Sequence, residues 1–202
     1  VLGHISWLAK NLTMLDNEGY MRNLQRRQVH KNSLKRAILE ATLRIIEKEG
    51  YSAVTIRRIA SAIDYSVPTI YEFFDNKEML FRELKKEWLQ KMLELIQKIR
   101  AEEQKPLVAL KKIALAYTQY ALENGSHYRA VMETENVCED FAEIQAVRTI
   151  LKELIPKATD NKVDMFRSYL HGVASLALTK KIAGGKSRCY ELINEGVRTL
   201  LK

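Results

Sequence analysis

Glycine and proline are scarce in this chain of 202 residues, which holds eight glycines and three prolines, Pro68, Pro106 and Pro156. It also lacks alternating runs rich in Val, Ile and Thr, so the strand signature is missing and helical spacing is the one periodic signal left. An all-α fold follows. The two cysteines, Cys138 and Cys189, are too far apart for a zinc site or redox motif and read as buried or idle thiols. The four histidines, His4, His30, His127 and His171, show no metal spacing. A glycine-rich phosphate loop and a nucleophile motif are also missing. No catalytic residue, metal or cofactor is expected, and an all-helical enzyme remains only as the rival reading. Apolar stretches fall far short of the roughly 18 to 20 residues that cross a bilayer, and the start has no basic region followed by a long apolar run. A soluble cytoplasmic protein with no membrane partner is expected.

What is present is apolar mass and unevenly placed charge. Apolar residues make up 47%, enough for a sizeable core, and the net charge is +8. Residues 21–86 hold 14 Lys/Arg against 8 Asp/Glu, whereas residues 87–202 hold 18 against 15. The excess therefore lies in the first part of the chain, where it would suit phosphate binding. The apolar residues Leu34, Ala37, Ile38, Ala41 and Ile45 predict a first helix over 34–48, with Ser33 as its cap and Gly50 as a left-handed stop. Asn76 predicts the cap of a long helix over 77–100, and Pro106 the first turn of another to Glu123, ended by Asn124, Gly125 and Ser126. Further helices are expected at 127–134, 138–155, 161–183 and 187–201, the last two separated by Gly184 and Gly185. Residues 3–20 offer no partner pattern for their apolar side chains, so Met14 and Met21 are candidate biological starts.

The most informative stretch is Thr55–Glu78. Ile56, Ile59, Ala60 and Ile63 recur at helical spacing, pause at Asp64 and Tyr65, and resume with Val67, Ile70, Phe73 and Phe74. Thr55 and Ser66 are placed to cap the two short helices. The result is a helix-turn-helix, a motif that holds its second helix where it can enter the major groove of DNA.

On these residues the chain resembles the TetR family of bacterial repressors. The resemblance covers Leu34 to Trp88: Gly50, Thr55, Ile59, Ala60, Ser66, Thr69, Tyr71, Phe74, Lys77, Glu78 and Leu80 occur together at the family's spacing. Asp64 replaces the usual turn glycine and Pro68 a common glycine of the third helix. Beyond Trp88 the likeness is one of helix lengths, plus a His171-Gly172 pair preceded by Arg167 where a tryptophan is usual. The resemblance implies an N-terminal extension and basic arm over 1–32, a three-helix DNA-binding domain over 33–80, and a helical ligand-binding and dimerisation domain over 81–202. It implies that Thr55, Thr69, Tyr71 and Lys77 bind backbone phosphates, beside the cap Ser66. The exposed side chains Val67, Pro68 and Glu72, with Arg57, are then the expected base readers; an arginine can pair with guanine and a carboxylate can accept from cytosine. Arg22, Arg26, Arg27 and Lys31 form a basic arm, read either as a disordered tail or as a contact to the minor groove.

Past Trp88, pocket walls and ordinary core look alike. Tyr117, Tyr120, His127, Met132, Phe141, Tyr169 and His171 are candidate lining for an apolar small-molecule pocket. Val163, Phe166, Leu170, Val173 and Leu176, then Leu192, Ile193, Val197 and Leu200, suit either a four-helix bundle with a second copy or burial within the chain. The reading as a whole is a homodimeric, ligand-responsive repressor of a palindromic operator in double-stranded DNA. A ligand-blind DNA-binding protein is the alternative.

Overall fold

The structure is a computed structural model and describes residues 2–132 and 141–200, with side chains from Met21 onward. Cys138 and the start of the helix expected from 138 lie outside the described residues. The described elements are nine α-helices and one 3-10 turn, without a strand among them.

α1 runs without a break from Leu2 to Glu49, so Ser33 is an interior residue and not a cap. The reason is local: from Met21 to Ser33 the residues are mostly Arg, Gln, Leu, Asn and Lys, with no Pro or Gly to interrupt a helix. A serine caps only where the backbone before it leaves the helix. Gly50 does stop α1, but its φ of 87° and ψ of 171° lie in the region open essentially to glycine alone, not in the left-handed helical region.

A 3-10 turn, Tyr51–Ala53, leads to α2, Ile56–Ala62, and α3, Val67–Tyr71. Thr55 Oγ1 accepts from the Arg58 N–H at 3.2 Å and Ser66 Oγ from that of Thr69 at 3.4 Å, so both helices start at side-chain caps. Between them Asp64 takes φ 57°. The Tyr65 N–H returns to the Ala60 carbonyl at 3.0 Å, closing α2 where glycine is usual. Ile38, Ile46, Ile59, Ile70, Leu80 and Leu84 are fully buried and join α1, α2, α3 and the start of α4 in one core.

α4, Lys77–Glu102, belongs to two cores at once. Leu80, Phe81 and Leu84 complete the first, while Trp88 and Met92 enter a second cluster with Ala121, Tyr128, Val131 and Ala174. α5, Pro106–Glu123, follows, and α6, Gly125–Met132, begins straight after the Asn124 junction. α7, Ala142–Leu154, α8, Asp160–Leu178, and α9, Gly185–Leu200, complete the body around Leu110, Ile113, Leu151, Phe166 and Ile193. α8 ends five residues before the expected 183, because Lys180 turns to φ 57° and the Lys181 N–H bonds the Leu176 carbonyl at 2.8 Å. Cys189 is buried in this core.

Candidate nucleic-acid interface and effector cavity

The face presented by α2 and α3 is polar and largely exposed. Thr55, Arg57, Ser66, Pro68, Tyr71 and Glu72 are exposed, while Val67 is half-buried against the head core. Tyr71 is 49% exposed although aromatic, and Ile70 beside it is fully buried, so α3 anchors by one side and offers the other. The Thr69 hydroxyl lies 2.9 Å from that of Ser66. Lys77 opens α4, where unpaired N–H groups and the helix dipole favour an anion. Its ammonium sits 4.7 Å from the Tyr51 ring centre and 5.5 Å from that of Phe81. These rings hold the cation in place without neutralising it.

Other contacts of the head were missed in the sequence. Arg58 pairs with Glu49 and donates to the Ala53 carbonyl at 3.2 Å, tying α2 to the end of α1. Lys31 and Lys35 of α1 stand 6.0 and 5.9 Å over the rings of Phe73 and Phe74, just beyond the C-cap of α3 at Glu72. The lysine–ring contacts join residues far apart along the chain and leave no periodic signal.

In the body a cavity of about 370 Å³ opens between α4, α5, α6, α7 and α8. Its wall is mainly apolar, with Trp88, Met92, Ile113, Val131, Leu151 and Phe166 among the lining, and it also includes Lys85, Arg167 and His171. That size falls within the usual range for small-molecule sites, roughly 300 to 1,000 Å³. At one side the Tyr128 hydroxyl lies 2.6 Å from His171 Nδ1 and 3.1 Å from the His171 carbonyl. Burial pushes the Tyr117 phenol up to about 12 and raises Tyr128 as well, so both stay protonated. Burial lowers His171, which favours the neutral ring. The cavity therefore combines a mainly apolar wall with an uncharged hydrogen-bonding group at His171 and two cationic side chains, Lys85 and Arg167.

With this geometry in view, the family model described as bacterial regulatory proteins of the tetR family matches residues 38–84. Over these residues the chain carries the helix-turn-helix head of the TetR family of transcriptional regulators. It is 23% identical over 174 residues to the HTH-type transcriptional regulator YobS of Bacillus subtilis, covering 83% of this chain and 90% of that one. To the fatty acid metabolism regulator protein of Bacillus subtilis it is 28% identical over 117 residues, 57% of this chain and 59% of the other. In fold it is similar to a TetR family transcription regulator from Marinobacter aquaeolei VT8, with TM-score 0.65, 17% identity, and 85% and 97% of the two chains covered. FadR from Bacillus subtilis, solved in complex with stearoyl-CoA, gives TM-score 0.65 at 17% identity over 82% and 97%.

The expected pocket residues divide. Tyr117, Met132 and His171 line the cavity. Tyr120 and His127 border a larger, charged groove of about 680 Å³ between α1, α4 and the α5–α6 junction, together with Glu87, Glu94, Arg36 and Lys91. His127 donates from Nε2 to the Leu84 carbonyl at 2.7 Å, which makes it a structural link between α6 and α4. Phe141 is buried beneath Arg82 and Lys85. Tyr169 lies against Gly196 and donates to the Leu192 carbonyl at 2.6 Å, tying α8 to α9. These four are held by their neighbours and do not line the apolar cavity. The apolar wall from Trp88 to Ile113 was not singled out in sequence because its spacing is that of any buried helix face.

Proposed function

We propose that this TetR-family chain is a homodimeric repressor that binds a palindromic operator through α2, α3 and the start of α4, and releases it when an apolar small molecule fills the body cavity. Tyr71, Thr69, Thr55 and Lys77 bind phosphates, and Pro68, Glu72 and Arg57 face base edges. The observation that carries the coupling is the double membership of α4: within three turns it passes from the head core at Leu84 to the cavity wall at Trp88 and Met92. α6 repeats the link, with Ala130 in the head core and Val131 in the cavity wall. A ligand that spreads this wall displaces the helices on which the reading head rests. It releases DNA only as far as it prefers the displaced state; reversing a ratio of about 1:99 takes about 5.5 kcal/mol.

The apolar wall, with Lys85 and Arg167 among its lining, suits a long hydrocarbon chain ending in an anionic group. The FadR structure in complex with stearoyl-CoA makes a long-chain acyl-CoA the first compound to test. The experiment selects a DNA duplex with the purified protein, then titrates stearoyl-CoA and free stearate against the complex. Release of DNA by either is the expected result. Ala116→Phe, which fills the cavity, is expected to keep operator affinity within about twofold and to lose the response. If neither compound nor shorter acyl chains shift DNA binding or the melting temperature, the ligand-blind reading replaces this one.

A further inference from the structure

Residues 21–33 of α1 are all exposed, and Lys31 near the end of this stretch reaches the Phe73 ring. The stretch is also one-sided in charge: from Gly19 to Leu39 there are six Lys/Arg and no Asp/Glu. Arg27, Lys31 and Lys35 follow one another at four-residue spacing and form one row, about 6 Å apart along the axis. The row ends at the reading head, where Lys31 and Lys35 stand over Phe73 and Phe74, the residues that follow α3. Lys35 is paired with Glu83 at 2.7 Å. Arg26 and Arg27 have no carboxylate partner among the described residues.

Such a segment is poorly made for standing alone. Like charges four apart weaken a helix by a few tenths of a kcal/mol each, and the link from Gln28 Nε2 to Asn32 Oδ1 at 2.9 Å joins two neutral side chains. Its exposed apolar residues Met21, Leu24 and Val29 are three and five apart and make no stripe for a second copy. A polyanion would remove the repulsion and use the charge. DNA offers one phosphate per 3.4 Å of each strand, and the row is continuous with the surface assigned to it.

We propose that Arg26, Arg27 and Lys31 of this helical arm bind DNA phosphates flanking the operator, as a second and sequence-independent contact. This rests on the DNA-binding role assigned above. The contact lengthens the footprint without reading bases.

The test compares the full chain with the triple variant R26A/R27A/K31A on two duplexes, one trimmed to the operator and one extended by a helical turn on each side. The side chains are exposed and alanine favours the helix, so the variant is expected to fold and melt like the parent. On the extended duplex the variant should bind at least tenfold more weakly near 0.1 M salt. The slope of log K against log salt should fall in magnitude by about one to three per protomer. On the trimmed duplex the two proteins should be alike. Equal affinity and slope on the extended duplex overturn the proposal. So does a change in oligomeric state by sedimentation, which would make the arm a self-association element. Failure of the parent chain to bind any selected duplex, with the helices intact by circular dichroism, overturns the DNA-binding role itself and the arm with it.

Discussion

At the scale of single residues, Gly196 is where the body is least tolerant. A Cβ there would meet Tyr169 Cζ at 2.1 Å and its hydroxyl oxygen at 2.2 Å, so the ring must leave. The ring cannot leave without breaking its hydrogen bond to Leu192 and opening the α8–α9 contact. Gly196→Ala is therefore expected to destabilise by about 1–3 kcal/mol, although alanine is the better helix former. Thermal unfolding should show it as a fall of several degrees; an unchanged midpoint would mean that Tyr169 has another place to go. Gly172, by contrast, has open space at its Cβ position. Sequence places both glycines on helices, but the neighbour that makes one indispensable comes from another helix.

At the scale of elements, the ends of helices explain most differences from the sequence reading. Thr55, Ser66, Asn76 and Pro106 stand where expected, because a cap or a first-turn proline depends on its own few residues. The end of α8 was not legible, since Lys180 adopts the left-handed conformation without being glycine or asparagine. That conformation costs a lysine roughly 1 kcal/mol. Lys180→Gly should return a good part of it and raise the melting temperature by about 2 °C or more, a gain that differential scanning calorimetry can resolve. A loss of stability would instead indicate that the lysine side chain supports the α8–α9 turn. At α1 the error ran the other way: a competent cap residue, Ser33, sits inside a helix that never paused before it.

For the whole molecule, the proposed homodimer requires a surface that meets a second copy. Val163, Phe166, Leu170, Val173, Ile193 and Val197 of α8 and α9 are buried within the chain's own core, so intramolecular burial accounts for them. Met165 and Leu176 on α8 remain 54% and 45% exposed, and half-buried Gly172 lies between them at helical spacing. They are the residues to change. Met165→Glu with Leu176→Glu should leave the fold intact and yield monomers in sedimentation, with palindrome binding weakened far more than half-site binding. A persistent dimer would place the interface elsewhere.

Sequence alone determined the helical class, the capped helix-turn-helix over 55–71 and the charge excess around it, because each depends on residues within a turn or two of one another. Tertiary structure decided which aromatic residues face the cavity and which are spent on packing. Tyr117 and Tyr120 are three apart on α5, yet one lines the apolar cavity and the other the charged groove. It also decided that α8 keeps most of its apolar face for its own chain and that α1 carries its basic row past Phe73 and Phe74. Local spacing specifies which way a side chain points from its own helix; what stands opposite is set by helices far away in the chain, and that carries no local pattern.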